Sequence, residues 1–502
     1  MINENVYFLE EKSGFSELAD QSLKFGSYLR SKNIKEIKIY LSSTFDFCVA
    51  LFGAMSANAL AHVVSDAKFA DINDDNFAHF SGDLDSEFEL NLDYEFFLYT
   101  SGSSGSSKAI KKSLKDMFEE AIFLRDFLSL NAQNLYTSVT HQHMFGLTFK
   151  VFLPLIAGLK VLSKKLDYPE IVLSYDFTNT IFISSPVVLS AISKYGGTNI
   201  NKADLIVTAG SKLENELRNK FDAKIMEIYG STETGIVAAN FGSGFEILGG
   251  VNLSLNDQER LIINSKWCKE YLSSDMAEIS GKSLKLLGRF DRIIKLNEFR
   301  FSLDEAECEL KNHKFISDSK CALLAGDTRI KALICLSKEG KDEFRNSGKN
   351  GIIKALKGHL FDKFKTNIRH FKIVEKIEKN SYGKFSVDDF KRVWQRKLTP
   401  KFELINPLEM QANISEECFF FEGHFRDFPL VPGFMQVGFV MDALSELGTV
   451  IDKPYNVENL KFTAFLRPFD ICKITISKEA NLINFKVYAN EKISASGRIR
   501  IV

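Results

Sequence analysis

The sequence predicts a multidomain protein of mixed α/β and α+β class, and three observations lead there. The chain has 502 residues, more than a single hydrophobic core usually serves. A Ser/Gly-rich run from Ser101 to Ser107 lies between a short apolar stretch and a long amphipathic one, the pattern of an α/β unit. After Pro400 the chain changes to short β-like runs around one apolar helix, an α+β pattern.

Composition narrows the function classes. Hydrophobic residues make up 45% and charged residues 26%, as in ordinary globular proteins. A net charge of -1 argues against a nucleic-acid protein that depends on surplus Lys and Arg, while leaving room for a local basic patch. The seven cysteines are odd in number and scattered, without a CxxC pair, which suits a reducing compartment and gives no zinc site. The N-terminus MINENVYFLEEKSGF is acidic and lacks the basic and long apolar regions of a signal peptide. The most apolar window, LTFKVFLPLIAGLKVL, is interrupted by Lys150, Pro154 and Gly158 and reads as core helix rather than a membrane span. The expectation is a cytoplasmic protein.

Glu95 to Thr100 reads as a buried strand, and Ser113 opens a helix that continues through EEAIFLRDFLSL. A Gly/Ser loop between such elements can turn several backbone N–H groups onto one anion, and Lys108 would add a point charge. It is not a GxxxxGK[ST] loop, because Ser107 precedes Lys108 and Ala109 follows it. On its residues alone the run is either a phosphate cradle or a polar turn. Further on, Phe385 to Lys397 reads as a basic amphipathic helix that Leu398-Thr399-Pro400 ends. Beyond it, KITISK, INFKVYA and SGRIRIV read as strands around the helix FMQVGFVMDALSELG.

The Ser/Gly run resembles the phosphate loop Y-T-S-G-[ST]-T-G-x-P-K of the adenylate-forming superfamily, with Ser107 in place of the usual Pro. Other stretches resemble that superfamily in the same order. His143-Met144-Phe145-Gly146 resembles its H-x-x-G segment beside the acyl pocket, and Tyr229-Gly230-Ser231-Thr232-Glu233 its Y-G-x-T-E segment. Ser274-Asp275 stands where the family has T-G-D, Gly288 to Lys295 resembles G-R-x-D-x-x-I-K, and Gly383-Lys384 resembles the terminal G-K. Several segments look most like the acyl-CoA synthetases of aryl-polyene clusters.

The resemblance implies an enzyme that joins a carboxylic acid to ATP, giving an acyl-adenylate and pyrophosphate. Negative charge builds on the transferring phosphoryl group, so catalysis rests on positioning and positive electrostatics. Thr100, Ser101, Gly102, Ser103, Ser104, Gly105 and Lys108 would hold the β- and γ-phosphates. Thr232 would touch the α-phosphate, and Glu233 would ligate Mg²⁺, a hard cation that prefers oxygen donors. Tyr229, beside Gly230, would stack on adenine, Asp275 would accept from the ribose hydroxyls, and Arg289 would assist there. Lys384 would bridge the attacking carboxylate and the ribose-phosphate. His143 and Gly146 would line the acyl pocket, whereas His141 reads as structural. Asp291 matches the hinge about which the small subdomain swings to admit a thiol, from coenzyme A or an acyl carrier protein. At Lys295 to Arg300 the family pattern K-x-x-G-x-R is broken by Glu298, which puts thiol access in question.

The tail resembles another family. Gly423-His424-Phe425 with Pro432-Gly433 resembles the G-H-F-P-x-x-P-x-x-P-G signature of hot-dog 3-hydroxyacyl-ACP dehydratases, and Lys461 to Asp470 resembles their K-F-x-x-x-x-x-P-x-D strand. By that likeness His424 would take the α-proton of a 3-hydroxyacyl thioester. Gly433 would open a helix whose N–H groups polarise the thioester carbonyl. The partner acid of dehydratases, five residues after the P-G glycine, is Gly438 here, and Asp442 one turn later is the substitute.

The expected organisation is an adenylate-forming N-terminal subdomain over residues 1–288, its small hinged C-terminal subdomain over 289–396, and a hot-dog domain over 403–502. Expected cofactors are ATP and Mg²⁺. The expected partners are a small carboxylic acid, coenzyme A or an acyl carrier protein, and a second copy of the chain through the hot-dog domain; neither nucleic acid nor an integral membrane span is expected. The alternatives are a scaffold or binding protein with one catalytic half inactive, and a hot-dog thioesterase.

Overall fold

A computed structural model describes the chain except for residues 78–79, 81–86, 102–106, 197, 297–298, 328, 365–367, 380–384, 426, 449–454 and 502. The chain divides into two compact units, Met1–Phe290 and Asp291–Val502.

The first unit is built on two sheets. The smaller has four strands in the order Glu36–Ile39, Leu60–Val63, Glu95–Ser101 and Ser107–Ser113. The first three run parallel, and the last turns back antiparallel on its neighbour, pairing Thr100 with Lys108 and Ser101 with Ser107. The predicted strand from Glu95 is therefore present, but the Ser/Gly run does not lead straight into the helix. A second strand intervenes, because Ile110 and Lys112 are both buried and Lys108 to Ser113 completes a ladder on the earlier strand. The helix Leu114–Leu128 then starts at Ser113, whose hydroxyl accepts from Asp116 N–H while the Asp116 carboxylate accepts from Ser113 N–H.

The larger sheet has thirteen strands, and its middle is parallel through Leu205–Thr208, Thr180–Ser184 and Asn134–Thr137. Thr180–Ser184 and Leu205–Thr208 are buried at every residue, as strands covered on both faces require. Strand Ile225–Ser231 joins Leu205–Thr208 in parallel and pairs on its other side antiparallel with Gly235–Asn240. The apolar window at 147–162 is core, as expected: helical segments from Met144 to Ala157 end at Gly158, whose φ of +70° suits glycine. Lys150 is buried there, and burial lowers its pKa to about 7. Among the described residues no helix is long and apolar enough to cross a membrane.

The second unit contains a three-stranded sheet, Ile316–Ala322, Lys331–Leu336 and His370–Ile373, with helical segments Leu303–Asn312, Lys338–Phe364, which is broken at Gly348, and Val387–Gln395. The last of these lies within the expected Phe385–Lys397 helix but is shorter, and with Arg396 and Lys397 outside it carries as many acidic as basic residues; Ser386 and Asp389 cap it. It continues into a six-stranded antiparallel sheet in the order Glu403–Asn406, Glu409–Asn413, Ile471–Glu479, Leu482–Ala489, Lys492–Ile501 and Tyr455–Phe462, packed on the helix Gly433–Glu446.

One hydrophobic cluster runs through both parts of this unit, with Phe344 edge-on to Phe421 at 6.3 Å and to Phe469 at 6.4 Å. Polar contacts reinforce it. Arg345 donates to Pro468 O at 2.9 Å and to Asp470 at 2.8 Å. The Glu417 side chain, fully buried, accepts both Arg396 Nε and a terminal Arg396 nitrogen at 2.8 Å and the Glu375 N–H at 3.1 Å. Glu417→Ala removes the acceptor of that N–H and of both Arg396 donors. It is expected to destabilise the second unit by about 2 kcal/mol or more, seen as a lowered urea midpoint. An unchanged midpoint would show that this contact does not stabilise the unit.

Candidate active site

The turn Thr232–Thr234 joins the antiparallel strands Ile225–Ser231 and Gly235–Asn240. Its geometry is set by its own small polar residues. Thr234 Oγ1 accepts from Ser231 N–H at 3.0 Å, and Ser231 Oγ accepts from Thr234 N–H at 3.2 Å. Two glycines make room. A Cβ on Gly230 would meet the Gly235 carbonyl at 2.1 Å, and Gly235 has φ +64°. Thr232 and Glu233 are thereby held half-buried at the end of the hairpin.

Lys108 and Lys112, on one face of the strand Ser107–Ser113, bracket Glu233. Lys108 Nζ lies 3.3 Å from the Glu233 carboxylate, and the buried Lys112 donates to the Glu233 carbonyl at 3.1 Å. Burial acts to raise the Glu233 pKa, but hydrogen bonds from its own N–H and from Lys108 and Ser231, with the Lys108 charge, hold it below the ordinary value. The carboxylate is therefore ionised at neutral pH. Tyr271 sits against it, and its own pKa is raised by burial and by the Glu233 charge and hydrogen bond. An ionised carboxylate with one cation beside it suits Mg²⁺, which takes one or two protein carboxylates and completes its shell with phosphate oxygens and water. Among the described residues no group of three or more His, Cys, Asp and Glu gathers to hold a metal without such a substrate.

Asp275 belongs to the same region. Tyr229 Oη donates to Asp275 Oδ2 at 2.6 Å, and Ser273 Oγ donates to the same oxygen at 3.1 Å, so Oδ1 carries neither bond. The Tyr229 ring stands edge-on to Phe245 at 6.1 Å, and burial with the neighbouring Asp275 charge raises its pKa. Asp275 faces Arg289 across the ladder of Cys268–Ser280 with Ser283–Arg289.

The structure brings together Lys108, Thr232 and Glu233 and, separately, Tyr229 with Asp275. Thr100 and Ser101 end their strand, whereas Gly102, Ser103, Ser104 and Gly105 lie outside the described residues, as do Lys384 and Glu298. His143 is half-buried and opens the helical segment at Met144, its carbonyl accepting from Leu147 N–H at 2.7 Å. Gly146 is buried against the Thr140 carbonyl, 2.0 Å from where a Cβ would stand, which is a packing reason for glycine. His141 is buried, its Nε2 is 2.8 Å from Leu41 O, and burial holds its pKa well below the usual range, so it is a neutral core group. Asp291 is the first residue of the second unit. Lys112 and Tyr271 were not anticipated. The spacing of Lys112 from Lys108, four residues along one strand, was the available signal for the first; Tyr271 comes from a distant strand and left none.

In the second unit, His424 is half-buried, stacked on Phe425 at 4.5 Å, and its carbonyl accepts from Leu430 N–H at 3.3 Å. Gly433 opens the central helix where a Cβ would meet the Phe462 ring at 2.6 Å. A Cβ at Gly438 would meet nothing within 4 Å, and Asp442 is exposed.

The first unit thus carries a charged turn at the edge of its parallel strands, and the second ends in a helix packed on an antiparallel sheet. Residues 82–261 match the family model described as AMP-binding enzyme, and residues 403–498 match the ApeI-like family, described as ApeI dehydratase. The chain thus carries an AMP-binding domain and an ApeI-like, hot-dog dehydratase domain. Among solved structures it is similar to ATP-bound MatB from Rhodopseudomonas palustris, at 14% identity and TM-score 0.65 over 78% of this chain and 95% of that one. It is also similar to o-succinylbenzoate coenzyme A synthetase from Bacillus subtilis in complex with ATP and magnesium, at 14% identity and TM-score 0.65 over 77% and 96%. A benzoate CoA ligase from Burkholderia xenovorans LB400 gives 16% identity and TM-score 0.60 over 78% and 96%. At these identities the likeness is one of fold. No curated protein sequence matches the chain.

Proposed function

We propose that the chain activates a carboxylic acid with ATP and passes the acyl group to a pantetheine thiol, of coenzyme A or an acyl carrier protein. The observation that carries this reading is Glu233, ionised and bracketed by Lys108 and Lys112 on a turn inside the AMP-binding match. A carboxylate oxygen of the acid attacks the α-phosphorus, the bond to the β-phosphate breaks, and pyrophosphate leaves. Lys108 holds charge on the phosphates, Thr232 orients the α-phosphate, and Asp275 Oδ1 accepts from the ribose. Mg²⁺ held by Glu233 would neutralise phosphate charge. Lys384 is proposed to hold the attacking carboxylate, and Asp291 to be the hinge for the thiol step. An aryl-polyene acid is one member of the substrate class this reading covers.

For the ApeI-like domain, Gly438 at the place of the partner acid and the exposed Asp442 support binding of acyl thioesters in preference to their dehydration. Phe434, Leu460, Phe462 and Phe465 are exposed beside Tyr455–Phe462, the terminal strand of its sheet, which supports pairing with a second copy of the chain.

The test is ATP–pyrophosphate exchange over a panel of aryl and fatty acids. Exchange that depends on one class of acid is the expected result and names the substrate. No exchange with any acid would transfer the weight to the scaffold reading.

A further inference from the structure

We propose that Glu120 is a positioning residue that couples the segment following His143 to the turn carrying Thr232 and Glu233, an inference that rests on the adenylation reading. Glu120 lies on the helix Leu114–Leu128 and is 1% exposed. Its Oε2 accepts the Thr148 hydroxyl at 2.7 Å, and its Oε1 accepts the Ile236 N–H at 2.6 Å. Thr148 lies two residues after Gly146, in the helical segment that His143 opens, and Ile236 is the second residue beyond the turn. One carboxylate therefore joins the acyl-side segment to the strand that carries the catalytic turn.

The surroundings show that the bond is tightly built. A Cβ on Gly235 would meet Glu120 Oε1 at 2.4 Å and Trp267 Cδ1 at 2.8 Å, so the backbone is pressed onto the carboxylate. The Trp267 indole N–H donates to Ile236 O at 3.2 Å, so side chains grip both the N–H and the carbonyl of Ile236. At the other end of the turn Lys112 grips the Glu233 carbonyl, and its charge also acts on Glu120. A buried carboxyl group, whose pKa burial raises, and a buried lysine thus hold the two ends of the segment Glu233–Ile236 from the strand and helix that follow the Ser/Gly run. Burying a carboxylate costs several kcal/mol unless its bonds are made, roughly what a well-packed apolar residue would avoid. Its use here places the acid and the phosphates in fixed register, where a displacement of about 1 Å costs on the order of a hundredfold in rate.

The experiment compares Thr148→Val, Glu120→Ala and Glu120→Gln with the wild-type chain in acid-dependent ATP–pyrophosphate exchange, with KM for acid and for ATP measured separately alongside thermal midpoints. Thr148→Val, which leaves the Ile236 bond in place, is expected to raise KM for the acid about fivefold or more while KM for ATP stays within about twofold. Glu120→Ala is expected to lower kcat by about tenfold to a hundredfold, and Glu120→Gln, which can still accept from Ile236 and donate to Thr148, to recover most of it. Should Glu120→Ala fail to fold, the other two variants carry the test. Variants that lose thermal stability while kcat and both KM values match wild type would overturn the proposal and leave Glu120 a core residue. A wild-type chain without exchange for any acid would overturn the adenylation reading itself, and the coupling with it.

Discussion

Glu233→Gln is expected to lower acid-dependent ATP–pyrophosphate exchange by about a hundredfold or more, with the thermal midpoint nearly unchanged. The substitution keeps the shape of the side chain and removes its charge. The turn is held by the reciprocal Ser231–Thr234 bonds, two glycines and the Lys112 bond to the backbone carbonyl, and the amide of the variant can still accept from Ser231 and its own N–H. What is lost is the anionic partner of Lys108 and, on the proposed reading, the carboxylate charge that would hold Mg²⁺. The Mg²⁺ concentration for half-maximal exchange should rise in the variant. Because the folded pKa of Glu233 lies below its ordinary 4.5, its own titration falls below that pH, and an acid limb in the wild-type profile near neutrality belongs to another group. Exchange within threefold of wild type at ordinary Mg²⁺ would remove Glu233 from the metal role.

Gly438→Glu is expected to confer 3-hydroxyacyl-thioester dehydration on the ApeI-like domain, by about a hundredfold over the wild-type chain. The substitution supplies a carboxylate at the place where hot-dog dehydratases carry theirs. The backbone tolerates it, since a Cβ there meets nothing within 4 Å and the residue is inside a regular helix. Replacing a helical glycine should also stabilise the domain by about 0.5–1 kcal/mol, so gain of activity and a raised thermal midpoint are expected together. His424→Ala in the same chain should abolish the gain. A stabilised variant without dehydration, measured as loss of a 3-hydroxyacyl thioester and appearance of the enoyl product, would show that His424 and position 438 do not form a working pair.

Local chemistry made much of this legible in the sequence. The buried strand at Glu95, the Ser113 helix start, the helix before Pro400 and the helix-and-strand tail all follow from short-range pattern, capping and period. The Y-G-S-T-E-T-G segment was legible only through its resemblance to the Y-G-x-T-E segment; the structure shows that its glycines and hydroxyls shape a turn within a few residues. The strand Ser107–Ser113 was not. Its Lys-rich composition argues for solvent, and only the ladder to Glu95–Ser101 and the distant Glu233 give Lys108 and Lys112 their places.

By itself the sequence determined several local elements, the two family resemblances and the residue types at each motif, because these depend on neighbours along the chain. Only the tertiary structure decided that Glu120 meets Ile236 and Thr148, that Tyr271 faces Glu233, that Tyr229 is bonded to Asp275, and that residues on both sides of Pro400 share one core. The hydrogen bonds among them join residues from 28 to 116 positions apart. A buried charge takes whatever partner the fold delivers, and no local periodicity encodes which one that is.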